Sequence, residues 1–314
     1  MIVTRVGGTR GTEAGTCAAL CVIALFACKK AKSDAEPVAT SVATLSTSAA
    51  IASPPAPAPA AELPSVPERR VPEGTLDGGA WLPAFRAVRP SGDAGKSWLE
   101  ARTACTDASL ELCSEPEWQR ACAEDTAVGK LEAWTLRVED SRGFVVRGGA
   151  DSSTRKIEPG SAKSASRGAL CCERAIAIDT ANKNKSFLSA TSAKLLAFEK
   201  AVNQKSASAI AALLDDELQF FQMKDATREQ ARAKFEGSYR QYPSQWFAHG
   251  TCTATIEKNL PDTQDDDTWT AECDKVAYRG GEVGVTMSRY VFGGSNGKIR
   301  AITEPRIVRN WAPP

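Results

Sequence analysis

Residues 213–230 read LLDDELQFFQMKDATREQ. The stretch Glu217–Phe221 alternates polar and apolar residues and reads as an extended strand. Thr227 and Gln230 form a capping box, in which the Thr side chain accepts from the third helical N–H and the Gln side chain returns the bond. That box opens a helix in which Ala231, Phe235, Tyr239 and Tyr242 recur at spacings of four, four and three. Pro243 stops it. Working upstream, Ser192 to Val202 is a helix with Leu195, Phe198 and Val202 on one stripe. Ser206 caps another, carrying Ile210, Leu213 and Leu214. Downstream the pattern turns to strands over roughly 245–257, 268–277, 282–292 and 298–308. Pro261-Asp262, Gly280-Gly281 and Gly293-Gly294 lie between them, as hairpins require. Helices followed by a run of antiparallel strands indicate an α+β fold over 176–314.

A second segment, 80–174, is organised differently. Ser97 to Cys105 (SWLEARTAC) is an amphipathic helix with Trp98, Ala101 and Cys105 on one stripe. Ser114 and Glu117 make another capping box, and Pro116 is tolerated in the first turn because its missing donor would be unpaired there. Gly143 to Arg147 (GFVVR) reads as a strand ended by Gly148-Gly149, and Ala169 to Cys172 as a closing strand. Trp118, Trp134 and Arg147 read as framework residues.

Two resemblances follow. The run SWLEARTACTDASLELCSEPEWQRAC, then EAWT, FVVRGGAD and GALCCERA, resembles in order the motifs of the formylglycine-generating-enzyme (sulfatase-modifying factor) superfamily. That implies a disulfide-bearing, C-type-lectin-like fold. It also implies that Cys105 pairs with Cys171, leaving one further bridge among Cys113, Cys122 and Cys172 and one thiol over. The chain departs from the family in two places. Only a short interval separates Cys122 from Trp134, and residues 150–169 contain no cysteine, where the oxidising enzymes carry a copper-binding pair. Copper(I) needs soft thiolate ligands. The resemblance thus implies the fold, leaves formylglycine-type oxidation a remote alternative, and implies no metal or cofactor. The segment 176–314, with LLDDELQFF followed by the TREQ helix and long strands, resembles the NTF2-like (SnoaL, ketosteroid-isomerase) fold, a curved sheet wrapping helices into a cone with a pocket. In enzymes of that kind an Asp or His acts as base, so His249, Asp225, Tyr239 and Tyr242 are the catalytic candidates. Cys252 and Cys273 are symmetric about a loop near Asp262, which sets them opposite each other for a cross-strand bridge.

The N-terminus carries an export signal. Arg5 and Arg10 precede a short apolar run, Thr16 to Ala27, too short to span a bilayer. Leu25-Phe26-Ala27-Cys28 resembles a lipobox, which implies removal of residues 1–27 and acylation of Cys28. Residues 28–75 are rich in Ala, Pro and Ser and read as a disordered tether. Ten cysteines against one histidine point to disulfides and an oxidising compartment rather than mixed zinc sites. A net charge of +1 with no dense basic run excludes a nucleic-acid surface. Asp265-Asp266-Asp267 lacks the alternating ligand spacing of a calcium loop and reads as a solvated turn. The expectation is a lipoprotein of the cell envelope, facing the periplasm or the cell surface. It would be tethered to the membrane by its anchor and would bind a small molecule or protein partner without catalysis. The alternative is an isomerase or cyclase working in the cone.

Overall fold

A computed structural model describes residues 68–90, 95–139, 143–164, 167–257, 268–293 and 297–311. The lipobox, the tether up to residue 67 and the turn Asp265–Asp267 lie outside the described residues. The chain opens with β1 (Arg69–Val71), β2 (Gly74–Thr75), β3 (Trp81–Leu82) and β4 (Phe85–Val88). There follow α1 (Trp98–Asp107), β5 (Glu111–Leu112), α2 (Glu115–Glu124), α3 (Thr126–Gly129) and β6 (Glu132–Glu139). The first half ends with β7 (Gly143–Arg147), β8 (Arg155–Glu158), β9 (Arg167–Ala169) and β10 (Cys171–Cys172). The second half contains β11 (Ile178–Asp179), α4 (Lys185–Asn203), α5 (Ala207–Leu213), β12 (Leu214–Phe220), β13 (Met223–Thr227) and α6 (Arg228–Gln241). It closes with β14 (Trp246–Glu257), β15 (Thr268–Arg279), β16 (Glu282–Phe292) and β17 (Ile299–Trp311).

Local chemistry accounts for the helix starts. Ser97, Ser114 and Thr227 each accept from the N–H three residues on, and Glu100, Glu117 and Gln230 complete the boxes. The β15–β16 hairpin turns on Gly280 and Gly281, both at positive φ (62° and 92°), which a two-residue type I′ turn demands. Leu214 begins β12 instead of extending the stripe of α5, because α5 ends at Leu213. α4 starts at Lys185 rather than Ser192, since Asn184 caps it with bonds to Ser186 N and Phe187 N and Leu188 extends the buried stripe backwards. β1 and β2 fall inside the stretch read as tether. Polar composition hides them, because their stability comes from pairing with β4 and β3.

Three sheets result, and the largest has the strand order β13-β12-β17-β16-β15-β14-β11-β3-β2. Its curved inner face and α4–α6 enclose one core, in which Leu195, Phe198, Phe220, Phe247, Tyr290, Phe292 and Ile302 are buried. The outer face of β14–β16 presents Ala248, Val276, Val283 and Val285 to Trp98, Leu112, Trp134 and Phe144 of the first half. Trp98 stacks on Trp246 at 6.0 Å, and the Arg102 guanidinium lies 3.6 Å over the Trp246 ring. The two halves therefore share a core, and β2 and β3 extend the sheet of the second. The disulfides are Cys105–Cys171, Cys113–Cys172 and Cys252–Cys273, and Cys122 is a buried free thiol. Trp118 and Trp134 are fully buried and Arg147 nearly so, as framework residues should be. Among the described residues no helix is long and apolar enough to cross a membrane.

Candidate functional site

On its edge away from β15, the first stretch of β14 lies beside α4 rather than beside another strand, and side chains stand in for the missing ladder. Phe247 N–H donates to Asn203 Oδ1 at 2.9 Å, and Asn203 Nδ2 donates back to Phe247 O at 2.8 Å. His249 N–H donates to Glu199 Oε2 at 2.8 Å, and Arg174 Nη2 donates to His249 O at 2.6 Å. Glu199 and Asn203 sit four residues apart on one helix face, so a single helix covers the strand edge.

This edge is the entry to a buried polar chain. Arg174 donates from Nη1 to Glu117 of α2 at 2.8 Å and from Nε to Glu199 of α4 at 3.0 Å. Glu117 also accepts from Ser114 N–H and Ala175 N–H, both at 2.6 Å. Glu199 Oε2 lies 3.0 Å from His249 Nδ1, and His249 Nε2 lies 2.8 Å from Tyr290 OH. A carboxylate accepts, so Nδ1 carries a proton, and in the neutral imidazole that burial favours Nε2 accepts from the tyrosine hydroxyl. Burial holds the His249 pKa below its ordinary value, against the pull of Glu199. Burial also opposes ionisation of Glu199, but the Arg174 guanidinium and His249 outweigh it and lower its pKa to about 2. In Glu117 burial wins over Arg174, and its pKa is raised.

Both ring nitrogens of His249 are thus committed, and the residue is 1% exposed. The cone around it is filled by Phe198, Phe247 and Tyr290, whose rings contact one another and the imidazole. The other candidates do not join it. Asp225 is exposed on β13, separated in the sheet from β14 by β12, β17, β16 and β15. Tyr239 stacks on Phe235, its hydroxyl is buried with no partner among the described residues, and burial raises its pKa. Tyr242 is the C-cap of α6, with Arg279 above its ring. Glu199, Arg174 and Tyr290, which hold His249, were not anticipated from sequence. The one available signal was Glu199 on the buried stripe of a helix, four residues before Asn203.

An opening lies instead on the outer face of the sheet, at the seam between the halves. It is a cleft of about 220 Å³ with an apolar floor of Leu136, Val138, Ala248, Val276 and Val285. Its rim carries Ser114, Glu115, Gln119, Arg137, Thr251, Asp274 and Lys275, the last paired with Glu304, and His249 borders it too, with its side chain 0% exposed. Arg137 Nη1 donates to Asp274 Oδ2 at 2.9 Å across the seam, and Glu115 Oε1 accepts from Arg155 Nε at 3.0 Å. The rim charges are therefore mutually answered. A register shift between His249 and Cys252 makes a bulge at Gly250-Thr251, and it turns these two residues to the cleft wall. Domain seams with apolar floors and a few polar rim groups are where small ligands commonly bind. Among the described residues no group of three or more His, Cys, Asp or Glu is placed to hold a metal ion.

The element order from α4 to β17, two helices, a short hairpin, a helix and four long strands curved around them, is the NTF2-like arrangement. No family model and no curated protein sequence matches the chain. Among solved structures, a candidate scytalone dehydratase of Novosphingobium aromaticivorans is similar at 10% identity, covering 40% of this chain and 87% of that one, with a TM-score of 0.32. A domain of unknown function with a cystatin-like fold from Nostoc punctiforme is similar at 14% identity, over 40% of this chain and 79% of that one, with a TM-score of 0.30. An NTF2-like protein of unknown function from Cytophaga hutchinsonii is similar at 11% identity, over 36% and 86%, with a TM-score of 0.26. Similarity at this level carries nothing about activity.

Proposed function

We propose that this chain is an exported lipoprotein, anchored through Cys28, whose folded part is a non-catalytic binding module of the cell envelope. The first half serves as a disulfide-stapled scaffold descended from a sulfatase-modifying-factor-like domain. Its motif order supports that reading, and its lack of cysteines from 150 to 169 removes the oxidation chemistry. The observation that carries the proposal is the state of His249: the one histidine of the chain has both ring nitrogens bonded inside a filled cone. An isomerase or cyclase would need that base open to a substrate. The seam cleft is the ligand seat, and it suits a small, uncharged or zwitterionic molecule with an apolar body.

Native mass spectrometry of the exported chain tests this. A co-purifying small-molecule mass should be present, should leave on unfolding, and should be missing from Thr251→Trp, which fills the cleft wall. Its retention in the double variant His249→Gln/Asp225→Asn would separate binding from the cone. Turnover of that ligand, lost in the double variant, would overturn the non-catalytic reading.

A further inference from the structure

β11 runs parallel to β14 for two residues, with Ile178 opposite Cys252 and Asp179 opposite Thr253. It ends because Thr180 turns the chain. Asn182 N–H donates to Thr180 Oγ1 at 3.1 Å, Lys183 Nζ donates to Thr180 O at 2.9 Å, and Asn184 then caps α4. β14 does not end there but continues to Glu257.

The register says which way its backbone groups point beyond β11. Cys252 N–H donates to Ala177 O at 2.9 Å, so the backbone groups of Cys252 point away from β15. No register shift interrupts the pairing of β14 with β15 from Cys252 to Glu257. Backbone direction alternates along a strand, so the N–H and C=O groups of Ala254 and Ile256 point the same way as those of Cys252. Those of Thr253 and Thr255 serve the β15 ladder. Past Asp179 the outward groups border a cleft of about 370 Å³ lined by Asp179, Thr180, Asn182 and Thr253–Ile256.

We propose that this edge receives an extended segment of a protein partner as an added strand, continuing the line of β11, with a Lys or Arg of the segment against Asp179. Main-chain pairing supplies the recognition, because the side chains beside the edge at Thr253 and Thr255 are polar and exposed rather than a hydrophobic face. Asp179 is the one charged side chain lining the cleft among the described residues, and it is exposed. It sets the sign of the partner. The segment must be free of proline at its paired positions, since proline has no N–H to give. Residues 54–67 of the chain's own N-terminal stretch, with Pro54, Pro55, Pro57, Pro59, Pro64 and Pro67, fit that requirement poorly. The site is independent of the seam cleft, and Thr251→Trp leaves it intact.

The test is amide hydrogen exchange on the exported chain, read at Ile256, with the synthetic peptide acetyl-Lys-Thr-Val-Thr-Val-amide as probe. Ile256 N–H should exchange freely in the protein alone and about tenfold more slowly with peptide. A peptide N-methylated at alternate residues should give no protection, and Asp179→Asn should weaken the Lys-bearing peptide. Ile256→Pro removes an outward donor that the β15 ladder does not use, so it should abolish binding with little change in melting temperature. An Ile256 amide already protected in the dilute free chain would overturn the proposal, as would equal binding of the methylated peptide. Protection that rises with protein concentration in the absence of peptide would assign the edge to a second copy and overturn it equally.

Discussion

Arg174 answers two buried carboxylates on two helices, Glu117 at 0% and Glu199 at 3% side-chain exposure. Replacing it with methionine keeps much of the volume and removes the charge, leaving both acids without a cation. Loss of one partner from a buried ion pair costs about 3–5 kcal/mol, so urea unfolding of Arg174→Met should show a stability loss of that size. Arg174→Lys should recover little of it, because a single ammonium cannot span Glu117, Glu199 and His249 O together. His249 gives a prediction of opposite character. Its folded pKa lies below the ordinary 6.5, so the unfolded chain takes up the proton first. Stability from this group is full above pH 6.5 and falls as the pH drops below it. The chain has one histidine, so that limb of the pH–stability curve should vanish in His249→Gln.

At the level of elements, helix ends were the most legible part of the sequence. The boxes Ser97/Glu100, Ser114/Glu117 and Thr227/Gln230 are local chemistry within four residues, and the structure contains all three. Ser114→Ala removes the N-cap of α2 and should cost about 1 kcal/mol in thermal denaturation. Hairpin strands were legible for the same reason, through alternation and paired glycines. What the sequence hid depends on distance along the chain. Tyr290, Glu199 and Arg174 reach His249 across separations of 41, 50 and 75 residues, which no local pattern encodes. β3 joins the sheet through β11, far downstream in the chain, and β2 joins it only through β3. The covering of β14 by α4 belongs to the same class. Asn203→Ala would strip both partners from Phe247 N–H and C=O, and about 1–3 kcal/mol should be lost for buried groups left unmatched. Amide exchange at Phe247 would report it directly.

For the whole molecule, the cysteines allow an accounting by mass. Three bridges are closed and Cys122 is buried and reduced. Burial also raises the Cys122 pKa, which further slows its alkylation in the native state. The exported chain, unfolded without reductant and alkylated, should gain one group at Cys122 if Cys28 is acylated. A gain of two would mean a leader cleaved with its cysteine left bare. Native alkylation should give none at Cys122.

The sheet order also governs when this protein can fold as it is made. β17, from Ile299 onwards, lies between β12 and β16, so the last strand of this sheet to be synthesised is an inner one. Until it arrives, β12 and β13 have no attachment to β14–β16, and the inner edge of β16 stands open. Synthesis therefore delivers a nascent chain with two unjoined sheet fragments, dependent on holding factors until residues beyond 298 are free. Chains stalled shortly before that point should be digested by protease along their whole second half, and release of the final strand should convert them to resistance in a single step.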